Sequence, residues 1–501
     1  MSFLGLPAEI IDAILDLSLP FGIEGLSLVC KAIHGRATLQ IERHNELKRR
    51  WSRANNYGTG RLDDTLGILD AIAREPLVAE YIETLDLWDE RALSDEDSDI
   101  LDFRLDPDAM ARVKDLVTSA PFLIKAGVDT EAWWDRIIEE EGSRTDEDNT
   151  SVSCTIITLL GLLPNLQCLR LDPGWQNFAP DLEEYGLPLA GLQSIIDRAR
   201  QADSFRPRAL SQVRTILPFM HPGYDERAPL QSVQPFLELG SISELYLISA
   251  VAVDDGYTGY PFQWRTPTLA TQLTRIELAS CCIDADGIGE LVRHTPNLTV
   301  FKYSHENKWH GCEHDWNAGA FVETIARHCG STVTELAITI DELFGDIING
   351  VSSLLSFPRL EYLEVDLRVF RGPPVESGQQ LGENFTVPEG AARWTEDDIP
   401  CIGSMLPESI REAQINTNFH DPDERALASL LKNLRTQRLE RLHRLERCII
   451  RQYTGESARL YAERAGATLE TFDLNVENPR ALNMMPSWKR EFNERISRLR
   501  S

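Results

Sequence analysis

Leu273-Thr274-Arg275-Ile276-Glu277-Leu278 is followed by Leu298-Thr299-Val300-Phe301-Lys302-Tyr303, the two starts lying 25 residues apart. Both stretches run apolar-x-x-apolar-x-apolar. Their last two apolar positions are spaced by two, the period of a strand with one face buried, and Ala285 to His294 between them reads as a helix. The same pattern stands at Ile82/Leu85/Leu87, Leu166/Leu169/Leu171, Ile242/Leu245/Leu247, Val333/Leu336/Ile338, Leu360/Leu363/Val365, Ile410/Ala413/Ile415 and Leu469/Phe472/Leu474, and more weakly at Leu210/Val213/Thr215. Ala318 to Cys329 and Gly345 to Leu355 supply further helical stretches. The expected fold class is α/β, a curved array of short parallel strands backed by helices.

This pattern resembles that of leucine-rich repeats. The starts at 298, 333 and 360 are 35 and 27 residues apart, against roughly 20–29 in regular arrays, so the solenoid is expected to be irregular. Its insertions are the acidic runs 89–100 and 139–148, read as solvated loops, and the Gly-, Pro- and Glu-rich 370–398, read as a mobile excursion from one face. Residues 421–501 read as a helical region. Within it Leu427, Leu430, Leu431, Leu434, Leu439, Leu442, Leu445 and Ile449 line one side of a helix whose arginines, Arg438, Arg441, Arg447 and Arg451 among them, should meet the protein's own carboxylates. Residues between the apolar positions point away from the core, so Glu244, Tyr246, Arg275, Glu277, Lys302, Glu335, Tyr362, Glu364 and Asp366 should line one concave, mostly acidic face suited to a basic target.

Ahead of the array stands Leu6-Pro7-Ala8-Glu9-Ile10-Ile11-Asp12-Ala13-Ile14-Leu15, then Leu26-Ser27-Leu28-Val29-Cys30-Lys31. Pro7 suits a first helical position and Glu9 the positive end of the dipole. Pro20 and Gly22 break this helix, and the helical segment after them is expected to run on to Tyr57 before Gly58 and Gly60. Residues 1–57 therefore read as a small helical module before the array of 58–501. So short a segment buries too little surface to close a core unaided. These residues resemble an F-box. The resemblance implies docking on a Skp1-like adaptor, and through it a cullin, with Leu6, Pro7, Ile10, Ile11, Ile14, Leu26, Leu28 and Val29 at the interface. It implies a non-catalytic substrate receptor of a ubiquitin ligase whose target is unknown. Two other readings stay open: a non-ligase scaffold for protein–protein interaction, capped by these helices, and an enzyme with a dispersed site.

The formal charge of −29 speaks against nucleic acid or an anionic membrane as partner, because both would be repelled. With 42% hydrophobic and 26% charged residues the chain is globular in class. No apolar run approaches the roughly 20 residues of a membrane span, and no secretory signal is expected. Nine cysteines without paired spacing fit a reducing compartment, cytoplasmic or nuclear. Local signatures of phosphate cradles, zinc hydrolases and serine hydrolases are absent, and neither cofactor nor catalytic residue is expected. His305, His310, Cys312 and His314 are the one cluster with metal-ligand residue types, at a spacing that better fits a polar loop than a zinc site.

Overall fold

The computed structural model describes residues 3–57, 65–88, 106–143, 153–178, 186–201, 207–254, 260–265, 270, 272–308, 314–417, 424–452, 458–471 and 486–500. The chain divides into two units, 1–214 and 215–499. Among the described residues no helix is long and apolar enough to cross a membrane.

The first unit opens with α1 (Ala8–Leu17), α2 (Ile23–Ser27), α3 (Lys31–Arg36) and α4 (Thr38–Trp51). Contrary to expectation, the helix does not reach Tyr57: it ends at Trp51, and Arg53–Asn55 is strand β1. The Ser52 carbonyl accepts from the Glu83 and Thr84 N–H groups, which draws the chain into a parallel ladder with β2 (Thr84–Asp86). β2 pairs in turn with β3 (Cys168–Arg170), so Ala54, Leu85 and Leu169 lie in one buried row. Between β1 and β2 run α5 (Thr65–Arg74), burying Leu66, Leu69 and Ile72, and α6 (Leu77–Tyr81). α7 (Pro107–Thr118), α8 (Pro121–Ala126), α9 (Thr130–Ser143) and α10 (Ser153–Leu160) precede β3, and α11 (Gly186–Ala199) follows it. α9 and α11 meet closely because Gly191 has no side chain: a Cβ there would lie 2.4 Å from the Trp133 ring.

The acidic run at 139–148 is not wholly a solvated loop. Glu139 to Ser143 completes α9, and Glu140 is buried, accepting from the Cys154 N–H at 2.9 Å and the Thr155 N–H at 3.2 Å. Those donors open α10, where a carboxylate both satisfies orphan N–H groups and meets the positive dipole end. Glu140→Ala is expected to cost about 1–3 kcal/mol, read as a lower denaturant midpoint at unchanged slope, and Glu140→Gln less, since its amide oxygen still accepts. The acidic run at 89–100 and residues 144–148 lie outside the described residues.

In the second unit the main sheet runs β4 (Thr215–Leu217), β6 (Glu244–Ile248), β8 (Arg275–Ile283), β9 (Val300–Glu306), β10 (Glu335–Glu342), β11 (Tyr362–Asp366), β12 (Glu412–Asn416), β13 (Arg447–Gln452) and β14 (Thr468–Thr471), each parallel to its neighbour. β5 (Ala228–Pro229) and β7 (Ala250–Ala252) add a short parallel pairing beside β8. Spatial order following chain order means that each connection covers the same sheet, the arrangement of a strand–helix solenoid. Leu245, Ile276, Phe301, Leu336, Leu363, Ala413 and Cys448 share one in-register buried row. α12 (Gln234–Leu237), α13 (Ala285–Arg293), α14 (Ala318–Cys329), α15 (Ile402–Met405), α16 (Glu424–Leu431), α17 (Leu434–Glu440) and α18 (Arg459–Ala465) fill connections, and α19 (Ser487–Arg500) ends the chain.

Four details depart from the sequence reading. The weak match at 210–215 is out of register, because Thr215 pairs with Glu244 and Ile216 with Leu245, making Val213 and Ile216 the first two apolar positions. Leu469 pairs with Ile450, and so holds the third apolar position, not the first; Phe472 and Leu474 lie outside the described residues. Gly345 to Leu355 is not helical: its backbone pairs with neighbouring loops through Ile348 N–H to Trp316 O and Gly350 N–H to Pro373 O. Gly350 and Gly372 cross there so closely that a Cβ on Gly350 would sit 2.7 Å from the Gly372 carbonyl oxygen.

The fourth departure is the supposed helix from Leu427 to Ile449. It breaks at Asn433, whose φ of 61° is left-handed, Leu439 lies exposed instead of packing with the other leucines, and its end is strand β13. The region 421–501 is thus mixed rather than helical. Arg447 and Arg451 do meet the chain's own carboxylates, Glu412 and Glu470, whereas Arg438 and Arg441 donate to the backbone carbonyls of Gly466 and Leu406. The excursion at 370–398 is tied down along its length. Asn349 donates to the carbonyls of Pro373 and Gln379, Arg371 pairs with Glu396, and Asp315 accepts from the Glu383 N–H.

Candidate functional site

Two surfaces collect the residues singled out in the sequence. The first is the N-terminal module. Pro7 takes the N-cap of α1, one position earlier than expected, with extended backbone that directs the chain into the helix. Ile11 and Leu15 close on Leu19, Ile23, Ile33 and Ala37 in a small core, which Leu6, Leu26 and Cys30 partly cover. Arg36 pairs with Asp12 at 2.5 Å, joining α3 to α1, and Lys48 with Glu24 at 2.8 Å, joining α4 to α2. The hydrogen bonds from Arg36 and from Lys48 hold the Asp12 and Glu24 carboxyls below the usual carboxylate range.

The outer side of this module is also apolar. Pro7 is exposed, as are Ile10 at 48%, Leu28 at 79% and Val29 at 68%, while Ile14 is half-buried. Pro7, Ile10, Ile14 and Leu17 follow the three- and four-residue spacing of a single stripe, about a quarter-turn from Ile11 and Leu15. α1 therefore has two apolar sides, one buried and one open. Of the expected interface residues, Ile11 belongs to the inner side and Pro7, Ile10, Leu28 and Val29 to the outer.

The second surface is the sheet face carrying Tyr246, Glu277, Lys302 and Glu364, which share one row of the register with Ala337 and Gln414. Glu244, Arg275, Glu335 and Tyr362 form the preceding row on that face. This face is covered by α19, which the sequence reading did not foresee. Phe492 meets Tyr246 edge-on at 6.0 Å between centroids, and Lys302 donates to Glu491 at 3.0 Å. Arg495 pairs with Glu277, which Arg275 also reaches. Glu364 accepts from the Ser487 and Trp488 N–H groups at 2.7 and 3.1 Å. Tyr246 and Glu277 are fully buried as a result, and Lys302 and Glu364 nearly so. Tyr362 stays exposed at the rim of a cleft of about 300 Å³ that Glu335, Gln414, Trp488 and Glu491 also line.

Asp366 does not join this row. It is buried at the end of β11 and accepts from the Arg368 N–H at 2.9 Å. Burial pushes its carboxyl up to about 6, against the pull of that hydrogen bond and of the Arg368 guanidinium. The folded state thus keeps a proton that the unfolded chain, near 3.9, has released, so this contribution to stability is full below about pH 4 and is lost as pH rises through about 6. Asp366→Asn keeps an oxygen for Arg368 and removes the titration. Relative to wild type, its thermal midpoint is expected to gain as pH rises from 4 to 7, and a difference between the two proteins that stays constant with pH would refute the assignment.

Contrary to expectation His305 does not lie in a polar loop but near the end of β9, in the core. Its Nδ1 lies 2.9 Å from the Tyr303 hydroxyl and its ring stacks on Trp316 at 4.4 Å. Burial brings its pKa down to about 3, so it stays neutral. His314 lies on an exposed loop, and His310 and Cys312 fall outside the described residues. Among the described residues no three His, Cys, Asp or Glu side chains are grouped to hold a metal ion. Cys281 and Cys282 are buried in β8, as expected for structural thiols.

The sequence reading missed Ser280, Ser304, Thr339, Asp341, Trp488 and Lys489. The signal was there: Trp488, Phe492 and Ile496 recur every four residues, an apolar stripe on a terminal helix that is otherwise basic. Compared with protein-family models the chain matches none, and no curated protein matches it significantly.

Proposed function

We propose that this chain is the substrate-recognition subunit of a Skp1–cullin–F-box type ubiquitin ligase. In this reading the N-terminal module is an F-box that docks on a Skp1-like adaptor, and the second unit is an irregular leucine-rich-repeat array that holds a target protein. The subunit breaks no bond itself. It raises the concentration of target lysines at another protein's active site, where proximity replaces a bimolecular encounter.

The observation that carries this reading is the outer stripe of α1 and the end of α2. Helices that merely cap a solenoid bury their apolar residues on it, whereas Ile10, Leu28 and Val29 stay exposed outside the small inner core, which Leu77 of the following segment helps to cover. The test is affinity purification of the tagged chain from its native cells, with mass spectrometry of what accompanies it. A Skp1-like adaptor and a cullin at near-equal amounts are expected. Their absence, with the chain folded and abundant, would remove the ligase and leave the scaffold reading.

A further inference from the structure

We infer that the sheet face of β6 to β11 is a receptor for a basic, aromatic-led amphipathic helix, and that α19 is its resident occupant, which a target segment of the same Trp-Lys-x-x-Phe-x-x-Arg pattern displaces. The inference deepens the proposed target recognition and rests on the reading of this face as the recognition surface, not on the adaptor.

The centre of the contact is a socket for one ammonium group. Asp341 on β10 accepts from the Ser280 hydroxyl of β8 at 2.9 Å and the Ser304 hydroxyl of β9 at 2.7 Å, and the fully buried Lys489 enters against its carboxylate. The ladder is irregular at this point. The register shifts between Leu278 and Cys281 and again between Ile340 and Glu342, and Ser280 sits at a left-handed φ of 53°. Bulges re-aim side chains, and a non-glycine residue held left-handed is strain that a regular strand would not carry. Here both turn polar groups from adjacent strands toward one cation. Beside it the Trp488 indole donates to the Thr339 hydroxyl at 3.2 Å.

The helix also depends on the face for its start. The groups on its first N–H donors come from Glu364 of β11, whose carboxylate additionally accepts from the Ser487 hydroxyl. A segment of 14 residues is a marginal helix alone in water. Off the sheet it loses its cap, so docking and helix formation are one event. The contact itself is rich in charge: Lys489 with Asp341, Arg495 with Glu277, Glu491 with Lys302. Of these the Lys489–Asp341 pair is buried, and a buried pair selects a partner more than it adds net stability, which suits an occupant that can be exchanged.

The test uses the full chain. Trp488→Ala with Lys489→Glu sets a carboxylate against Asp341 and vacates the face. A fluorescein-labelled peptide of residues 487–500 is expected to bind this variant at least tenfold tighter than wild type, where the tethered helix competes at millimolar effective concentration. The same peptide carrying Lys489→Ala should bind the variant at least tenfold more weakly than the unaltered peptide. In wild type, amide exchange across 487–500 should outpace β8 to β10 tenfold or more, reporting local release of the helix. A folded double variant that ignores the peptide overturns the inference, as do α19 amides that exchange only as slowly as the central strands; the wild-type exchange decides alone if the variant does not fold. Adaptor co-purification on the same variant separates the two readings. Peptide capture without adaptor removes the ligase and keeps the receptor, and adaptor without peptide capture does the opposite.

Discussion

Ile10→Ala together with Leu28→Ala is expected to abolish co-purification of a Skp1-like adaptor while leaving the thermal unfolding of the chain nearly unchanged. Both side chains are largely exposed, and truncations at such positions usually change stability by less than about 0.5 kcal/mol. At the centre of an interface the same truncations cost about 2 kcal/mol each, roughly a thirtyfold loss of affinity apiece. The informative control is the inner side of the same helix. Ile11→Ala and Leu15→Ala remove residues that are 5% and 0% exposed, and each is expected to cost about 2–5 kcal/mol of module stability through the cavity it leaves. Loss of adaptor with intact unfolding in the outer variant, against loss of both in the inner ones, is the pattern of a docking module. A capping role gives the reverse: no adaptor in wild type, and an outer variant that unfolds early.

That the outer and inner sides of α1 differ was only half legible in the sequence. Ile10, Ile11, Ile14 and Leu15 announce an amphipathic helix, but consecutive isoleucines cannot say which one faces inward, and Ile11 proved to be core. The array was legible where the pattern Leu-x-x-Leu-x-Leu is clean, since its spacing by two fixes both strand and register. It failed where other residues take those places. Leu445-x-x-Cys448-x-Ile450 is the same pattern with cysteine in the middle, and Leu445 and Ile449 also fit a helical stripe, which hides strand β13. The supposed helix at Gly345 to Leu355 was lost to contacts that no local rule describes, chiefly the crossing of Gly350 with Gly372. The recognition face shows the deepest limit. Alternation correctly set Tyr246, Glu277, Lys302 and Glu364 opposite the core, and so predicted them solvated. Their burial depends on a helix more than 120 residues further along the chain, as the Glu364 to Ser487 separation of 123 shows.

Trp316→Ala is expected to destabilise the second unit by about 3–5 kcal/mol, seen as a fall in its thermal midpoint and in its denaturant midpoint at unchanged slope. The indole is wholly buried. It stacks on His305, meets Phe321 edge-on at 5.4 Å and lies 5.8 Å from Tyr303, so its loss opens a cavity against β9 and α14 that rigid strands cannot collapse to fill. Trp316→Phe separates volume from polarity. Among the described residues the Trp316 indole N–H has no acceptor, so phenylalanine loses part of the buried area but also an unpaired donor, and is expected to cost about 1–2 kcal/mol. The alanine variant has a second consequence, at His305. Without the stacked ring the imidazole is less dehydrated, its affinity for a proton climbs from the depressed value that burial imposes, and the stability that wild type loses as pH falls below about 6.5 is lost less steeply. A Trp316→Ala protein that is weaker at pH 7 yet loses less further stability between pH 5 and pH 3 is the expected outcome. Equal slopes in the two proteins would show that His305 is held neutral by something other than this packing.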